Sequence, residues 1–250
     1  MASIVAFQSF RRGTGKSLLT ANIGALQAQA GRRVGLIDAD FPAPTLHLHC
    51  GFEDLSAGRT LNDYLLGRCD IEQTVYDVSA LVGDESGGQL FLVPASTDLH
   101  EISHMLRKGY DLRLLDEGFQ TLIEVLNLDM LIIDMFAGLH EEALMLMALV
   151  DVLALVLRHD QQDYQGTAVM VDVAHRLGVP RVVLIANQEP PSFDLEAVRS
   201  HVEQSYHCEV AGVLPHDITL LHDSNQMFAV RHPEHPLIQP LREIAAAVAN

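Results

Sequence analysis

The sequence predicts an α/β protein, a mostly parallel twisted sheet with helices on both faces. Short apolar runs recur along it and are near-continuous rather than alternating: Ile4-Val5-Ala6-Phe7, Val34-Gly35-Leu36-Ile37, Leu90-Phe91-Leu92-Val93, Leu131-Ile132-Ile133, Val152 to Val156, Val182-Val183-Leu184-Ile185 and Val210 to Leu214. Strands covered by helices above and below have this pattern. Segments of helical pattern lie between most successive runs, and strand–helix alternation implies right-handed crossovers and parallel pairing. The chain has 250 residues, 48% of them hydrophobic, enough to bury such a core.

In chain order, the first strand leads to a helix over 16–30 that stops at Gly31. The second strand follows, then an irregular stretch, 51–89, expected as a surface excursion because it carries Gly58, Gly67, Gly83, Gly87 and Gly88. After the third strand come helices over 98–107 and 111–126, the fourth strand, and a helix over 141–149. The apolar stretch from Ala143 to Leu157 is broken by Asp151 and falls short of the ~18 residues of a membrane span. It reads as a buried helix entering a buried strand. Helices over 163–177, ending at Gly178, and over 194–206, N-capped by Asp194, frame the sixth strand. The seventh strand and a helix over 237–248 complete the pattern. No repeat, low-complexity tract or linker divides the chain, so residues 1–250 are expected to form one domain.

Charge narrows the function. Lys+Arg number 16 against 33 Asp+Glu, a net charge of -17. Affinity for nucleic acid or anionic lipid rests on basic residues, so direct DNA or membrane binding is not expected. The cysteines Cys50, Cys69 and Cys208 suit neither a disulfide framework nor zinc spacing, which fits a reducing cytoplasmic compartment. Residues 1–10 lack the basic-then-apolar pattern of a signal peptide.

The strongest motif is Phe10-Arg11-Arg12-Gly13-Thr14-Gly15-Lys16-Ser17, directly between the first strand and the first helix. Two glycines allow a tight turn whose N–H groups converge on phosphate oxygens, and the helix N-terminus adds partial positive charge. Lys16 can reach β- and γ-phosphates, and the Ser17 hydroxyl can ligate Mg²⁺. Phe10 stands where the strict pattern has glycine. Without ligand, Lys16 is expected to touch only solvent. At the end of the second strand, Asp38 and Asp40 are two residues apart and would share a face, where they could hold Mg²⁺ through water and orient an attacking water. The alternative is that Asp38 caps the next turn and Asp40 is solvated. The fourth strand ends in Asp134, which would hold the Mg²⁺ shell, and the Gly138 amide could approach a γ-phosphate.

These motifs, in this order, resemble the MinD/ParA family of deviant Walker A P-loop ATPases. The loop K-G-G-x-G-K-[ST] of that family is similar to 11–17 here, with Arg11 in place of its signature lysine and Arg12 in place of a glycine. Asp38-Ala39-Asp40 and Pro44-Thr45-Leu46 resemble its D-x-D and P-[ST]-L segments, and Asp134 to Gly138 its D-x-x-x-G switch. The resemblance implies nucleotide contacts from Arg12, Gly13, Thr14, Gly15, Lys16, Ser17, Leu18 and Gly138, adenine contact from Asn187, and base contact from the segment holding Pro215 and Asp217. It implies Mg²⁺ bound through Ser17, Asp38 and Asp134, and catalytic roles for Lys16, Asp40 and Arg11, the last reaching a second subunit's phosphates. It further implies ATP and Mg²⁺ as ligands, an ATP-bound homodimer, slow ATP hydrolysis, and a partner protein in positioning or assembly. A nucleotide-independent scaffold of the same fold is the rival, motivated by Phe10 and Arg12 standing where glycines are usual. A metal- or cofactor-insertion ATPase is a third reading, but the Cys-x-Cys or Cys-x-x-Cys pair of such members is absent.

Other features are set aside. His47 and His49 lack partner ligands for a metal site. His100 and His104, at helical spacing, read as a solvated face. Leu144 to Met147 read as core before contact surface. The last helix, from Leu241, has small apolar residues and a lone basic one, unlike a membrane anchor.

Overall fold

The computed structural model describes residues 2–52, 55, 58–83, 87–222 and 225–249. In chain order the elements are β1 (Ser3–Gln8), α1 (Lys16–Gln29), β2 (Arg33–Ala39), α2 (Leu46–His49), α3 (Leu61–Leu65), β3 (Tyr76–Asp77), β4 (Gln89–Val93), α4 (Leu99–Lys108) and α5 (Arg113–Val125). There follow β5 (Met130–Met135), α6 (Glu141–Met147), β6 (Val152–Leu157), α7 (Gln161–Leu177), β7 (Arg181–Glu189), α8 (Leu195–Tyr206), β8 (Glu209–Pro215), α9 (Ile218–His222), α10 (Phe228–Arg231) and α11 (Ile238–Ala249). The strands form an eight-stranded sheet in the order β3-β4-β2-β5-β1-β6-β7-β8. Among the described residues every pairing is parallel except β3 with β4.

The apolar runs are continuous because each strand feeds two cores. Ile4 and Ala6 of β1 join one cluster with Phe119 of α5, Leu146 of α6 and Val202 of α8. Val5 and Phe7 join the other, with Leu19 and Ile23 of α1 and Leu241 and Ile244 of α11. Alternation persists, but both faces are dry. α1 is buried on almost its whole circumference, flanked by the sheet, α2, α10 and α11. Its last turn gives way to Gly31 at φ 88°, and α7 closes on Gly178 at φ 76°, as their sequence positions predict. The Asp194 side chain accepts from the backbone N–H groups of Glu196 and Ala197, as an N-cap does. α11 packs through Ile238, Leu241, Ile244 and Val248, the packed last helix that its composition predicts. In α6, Ala143, Leu146 and Met147 are buried while Met145 is exposed, so the segment is chiefly core.

The stretch 51–89 corrects the expectation of a surface excursion, apart from 53–54, 56–57 and 84–86, which lie outside the described residues. Leu61, Leu65 and Ile71 are buried in the same core as Phe119. β3 then adds an antiparallel edge, pairing Tyr76 with Leu92 and Asp77 with Phe91. The glycine content suggested loose surface structure, but the apolar positions between the glycines supply a local layer over the sheet edge.

Gly88 shows how tightly that layer closes. A Cβ there would lie 1.9 Å from the Ala28 carbonyl oxygen and 2.9 Å from that of Arg32, both backbone atoms. Gly88→Ala is therefore expected to destabilise the protein by about 1–3 kcal/mol, the cost of overpacking a site whose neighbours cannot rotate away. Urea denaturation of the two proteins measures it.

Candidate functional site

The sheet register assembles the site. Phe7 of β1 and Asp38 of β2 both lie level with Asp134 of β5, so three strands end side by side. β1 is where the order reverses, with β5 on one side and β6 on the other, and open α/β sheets bind ligands at such a point. The glycine loop leaves β1 there. Gly13 and Gly15 hold φ of 81° and 89°, a backbone that side chains with a Cβ resist. The second also brings its backbone against Asn187, whose Nδ2 would be 2.5 Å from any Cβ.

Lys16 is not solvated, contrary to the sequence expectation. It is 6% exposed; its Nζ lies 2.5 Å from Asp134 Oδ1 and 3.6 Å from Asp40 Oδ2. Burial disfavours its charge, but attraction to Asp134 and Asp40 outweighs burial and holds the pKa above the usual lysine value. β2 ends at Ala39, so Asp38 is its penultimate residue and Asp40 the first beyond it, and both carboxylates act on the Lys16 charge. Asp38 is fully buried, and its two oxygens accept from the Asp40 and Leu46 backbone N–H groups at 3.0 and 3.1 Å, pinning the turn between them. Burial and repulsion from Asp134 push its pKa well above the carboxylate range. Asp40 is also buried, with its pKa raised by burial against the opposing attraction of Lys16.

A cavity of about 360 Å³ opens over this cluster, lined by residues 12–18 together with Ser9, Asp40, Ala43, Thr45, His49, Ala137 and Gln188. Of the predicted residues, it thus gathers Arg12, Gly13, Thr14, Gly15, Lys16, Ser17, Leu18 and Asp40. Asp38 and Asp134 lie buried beneath it. Gly138, Asn187, Pro215 and Asp217 are not among its lining. The Gly138 N–H donates to the Ser9 carbonyl at 2.9 Å, and Gln8 Nε2 donates to the Gly138 carbonyl at 2.8 Å, so the switch loop is fastened to the end of β1. Asn187 is 2% exposed and donates to the Thr14 carbonyl at 2.7 Å. Asp217 accepts from the Thr219 N–H beyond β8. The Arg11 side chain is turned to α7, on Asp160, Gln162 and Asp163. Sequence reasoning did not place His49 or Gln188 in the cavity. His49 stands four residues after Thr45, one helical turn along, which is a readable signal. Gln188 adjoins Asn187, and its Nε2 donates to the Gly13 carbonyl at 3.3 Å.

The residues fit a Mg·nucleotide. Among the described residues, Thr14 Oγ1, Asp40 Oδ1 and Asp134 Oδ2 find no hydrogen-bond partner although they are buried. Asp40 and Asp134 share one buried lysine, an excess of negative charge that a divalent cation balances, while loop and helix terminus offer an anion site.

The CobQ/CobB/MinD/ParA nucleotide binding domain, as a family model, matches residues 5–227. The chain belongs to this family. It is 28% identical to an uncharacterized ATP-binding protein of Methanocaldococcus jannaschii over 98% of this chain and 87% of that protein. In fold it is similar to the septum site-determining protein MinD of Pyrococcus horikoshii, solved with Mg-ADP, at a TM-score of 0.79 and 22% identity, covering 99% and 96% of the two chains. MinD in the MinC:MinD cell division complex of Aquifex aeolicus superposes with a TM-score of 0.81 at 20% identity, covering 99% and 96%. The MinD/ParA resemblance and the P-loop α/β fold are thus both shown. Among the described residues no helix is long and apolar enough to cross a membrane.

β7 ends in a further buried carboxylate. Glu189 is 1% exposed, and its Oε2 lies 3.3 Å from His159 Nδ1. Burial raises its pKa from 4.5 to about 7. Below pH 4.5 folded and unfolded chains both carry the proton; between 4.5 and 7 only the folded chain keeps it. This group's contribution to stability therefore falls as pH rises through that window and levels off above it. Denaturation midpoints from pH 4 to 8 are expected to show wild type losing stability relative to Glu189→Gln across that window.

Proposed function

We propose that this chain is a MinD/ParA-type molecular switch that binds and hydrolyses Mg·ATP, homodimerises in its ATP state and holds a partner protein until hydrolysis releases it. The observation that carries the reading is Lys16, buried between Asp134 and Asp40 at the floor of a glycine-loop cavity. Burying a lysine at the start of a helix carries a desolvation cost, and here two buried carboxylates hold it in its charged form. Its charge suits a terminal phosphate.

Ser17 and Asp134, with Asp38 behind them, would hold Mg²⁺, whose contribution when bound is to neutralise phosphate charge. Lys16 would stabilise charge developing on the transferred phosphoryl group, and Asp40 would orient the attacking water. Gly138 would give up Ser9 for the γ-phosphate, which would make the 136–138 loop the responsive element. MinC on MinD in Aquifex aeolicus supports a protein as partner. The net charge of -17 supports a protein over DNA or an anionic membrane.

Lys16→Ala is expected to lose tight Mg·ATP binding and, because Asp134 is left buried and unpaired, to destabilise the fold by about 3–5 kcal/mol. Calorimetric titration and chemical denaturation measure the two effects. A wild-type protein that takes no Mg·ATP at millimolar nucleotide would leave the scaffold reading in its place. Asp40→Ala is expected to keep ATP binding, slow its hydrolysis and accumulate the ATP-dependent dimer. Turnover assays and light scattering with ATP check this, and turnover equal to wild type removes Asp40 from the chemistry.

A further inference from the structure

Two adjacent arginines open the loop, and the structure gives them opposite surroundings. Every guanidinium nitrogen of Arg11 is engaged within the chain. Nε donates to Asp163 Oδ1 at 2.6 Å, Nη1 to Gln162 Oε1 at 2.8 Å, and Nη2 to Asp160. Asp163 is 1% exposed and also pairs with Arg158 at 3.4 Å, so it is a fixed anchor in the first turn of α7. The backbone is held as well, since the Arg11 carbonyl accepts from Ser9 Oγ at 2.7 Å. Phe10 seats its ring on the same helix. A Cβ on Gly166 would lie 2.0 Å from the ring's Cγ, so the ring packs directly on the α7 backbone where this glycine leaves room. Phe10 and Arg11 thus fasten the first half of the loop to α7 by an apolar and an ionic contact, one turn of helix apart.

Arg12 is free of such commitments. It is 54% exposed and lines the cavity, and its Nη2 lies 3.5 Å from Asp40 Oδ1, beyond good hydrogen-bond length. Asp40 is the carboxylate whose other oxygen faces Lys16. Two cations therefore converge on one carboxylate at the cavity floor, and the outer one is loosely held. A terminal phosphate carries more charge than Asp40, and a planar guanidinium suits it bidentately.

Resting on the nucleotide reading above, we propose that Arg12 is the loop's phosphate-binding arginine, contacting the terminal phosphate in its own cavity, and that Arg11 is a positioning residue that holds the loop on α7. Arg12 then discriminates ATP from ADP, because only ATP presents the phosphate it reaches. Arg11 sets loop geometry through Asp163.

Calorimetry with Mg·ADP and a non-hydrolysable Mg·ATP analogue, together with thermal denaturation, tests both halves. Arg12→Ala is expected to weaken the ATP analogue at least tenfold, to leave ADP affinity within about twofold, and to melt like wild type. Arg12→Lys is expected to recover part of the preference, since the charge returns. Arg11→Ala is expected to keep the ATP-to-ADP affinity ratio and to lower the melting temperature. Asp163→Asn should do the same, and Arg11→Lys should not rescue, because one ammonium cannot span three acceptors. An unchanged ratio in Arg12→Ala, with wild type binding both nucleotides, overturns the Arg12 assignment alone. A ratio lost in Arg11→Ala with melting unchanged reverses the two roles. Wild type that binds neither nucleotide removes the nucleotide reading, and the Arg12 role with it.

Discussion

An ammonium buried among carboxylates is the constraint on which this site depends. Asp38 and Asp134 are fully buried and Asp40 nearly so, at the edge of a sheet with dry faces. Anions in such a place are costly unless paired. Lys16 offsets part of the charge, two backbone amides bond Asp38, and the α1 N-terminus adds partial positive charge. What remains is an excess of negative charge with orphaned oxygens on Asp40 and Asp134. A structure optimised for stability alone would not keep this, whereas a Mg·nucleotide site has use for it.

The rest of the architecture holds that cluster in register. Because β2, β5 and β1 are adjacent and parallel, Asp38, Asp134 and Phe7 end level with one another, and the loop leaving β1 turns over them. The loop is braced from both sides. Asn187 and Gln188 at the end of β7 donate to its carbonyls, and Phe10 and Arg11 fix it to α7. A loop held at both ends can keep Gly13 and Gly15 in the left-handed region while departing from glycine at positions 10 and 12. The departures are compatible with the site because α7 carries the matching features, Gly166 for the ring and Asp160 with Asp163 for the guanidinium.

The 136–138 segment belongs to the same assembly. Its ties to Gln8 and Ser9 join the strand that carries the loop to the strand that carries Asp134. Ser9 and Ala137 of these two segments line the cavity, and the Gly138 N–H bond to Ser9 is of a kind that a competing acceptor can exchange at modest net cost. That is a physical basis for coupling what the cavity holds to the shape of the surface around it.

The parallel strands and the longer helices were legible in the sequence because they follow from local patterns: continuous apolar runs, helical spacing, Asp194 as a cap, Gly31 and Gly178 as stops; β3, α3, α9 and α10 were not, being too short to leave a period. The glycine loop, Lys16 and Ser17 were legible because their chemistry is contiguous, and Asp134 because an apolar strand ended in it. The tertiary structure alone decided where those groups point. Lys16 and Asp134 are 118 residues apart and Arg11 and Asp163 are 152 apart, so neither pairing leaves a local mark. The packing of Leu61 and Ile71 was hidden for the same reason, since the core they share with Phe119, far along the chain, decided their burial. Sequence determines which side chains stand at each strand end, whereas the order in which strands lie side by side determines which of them meet.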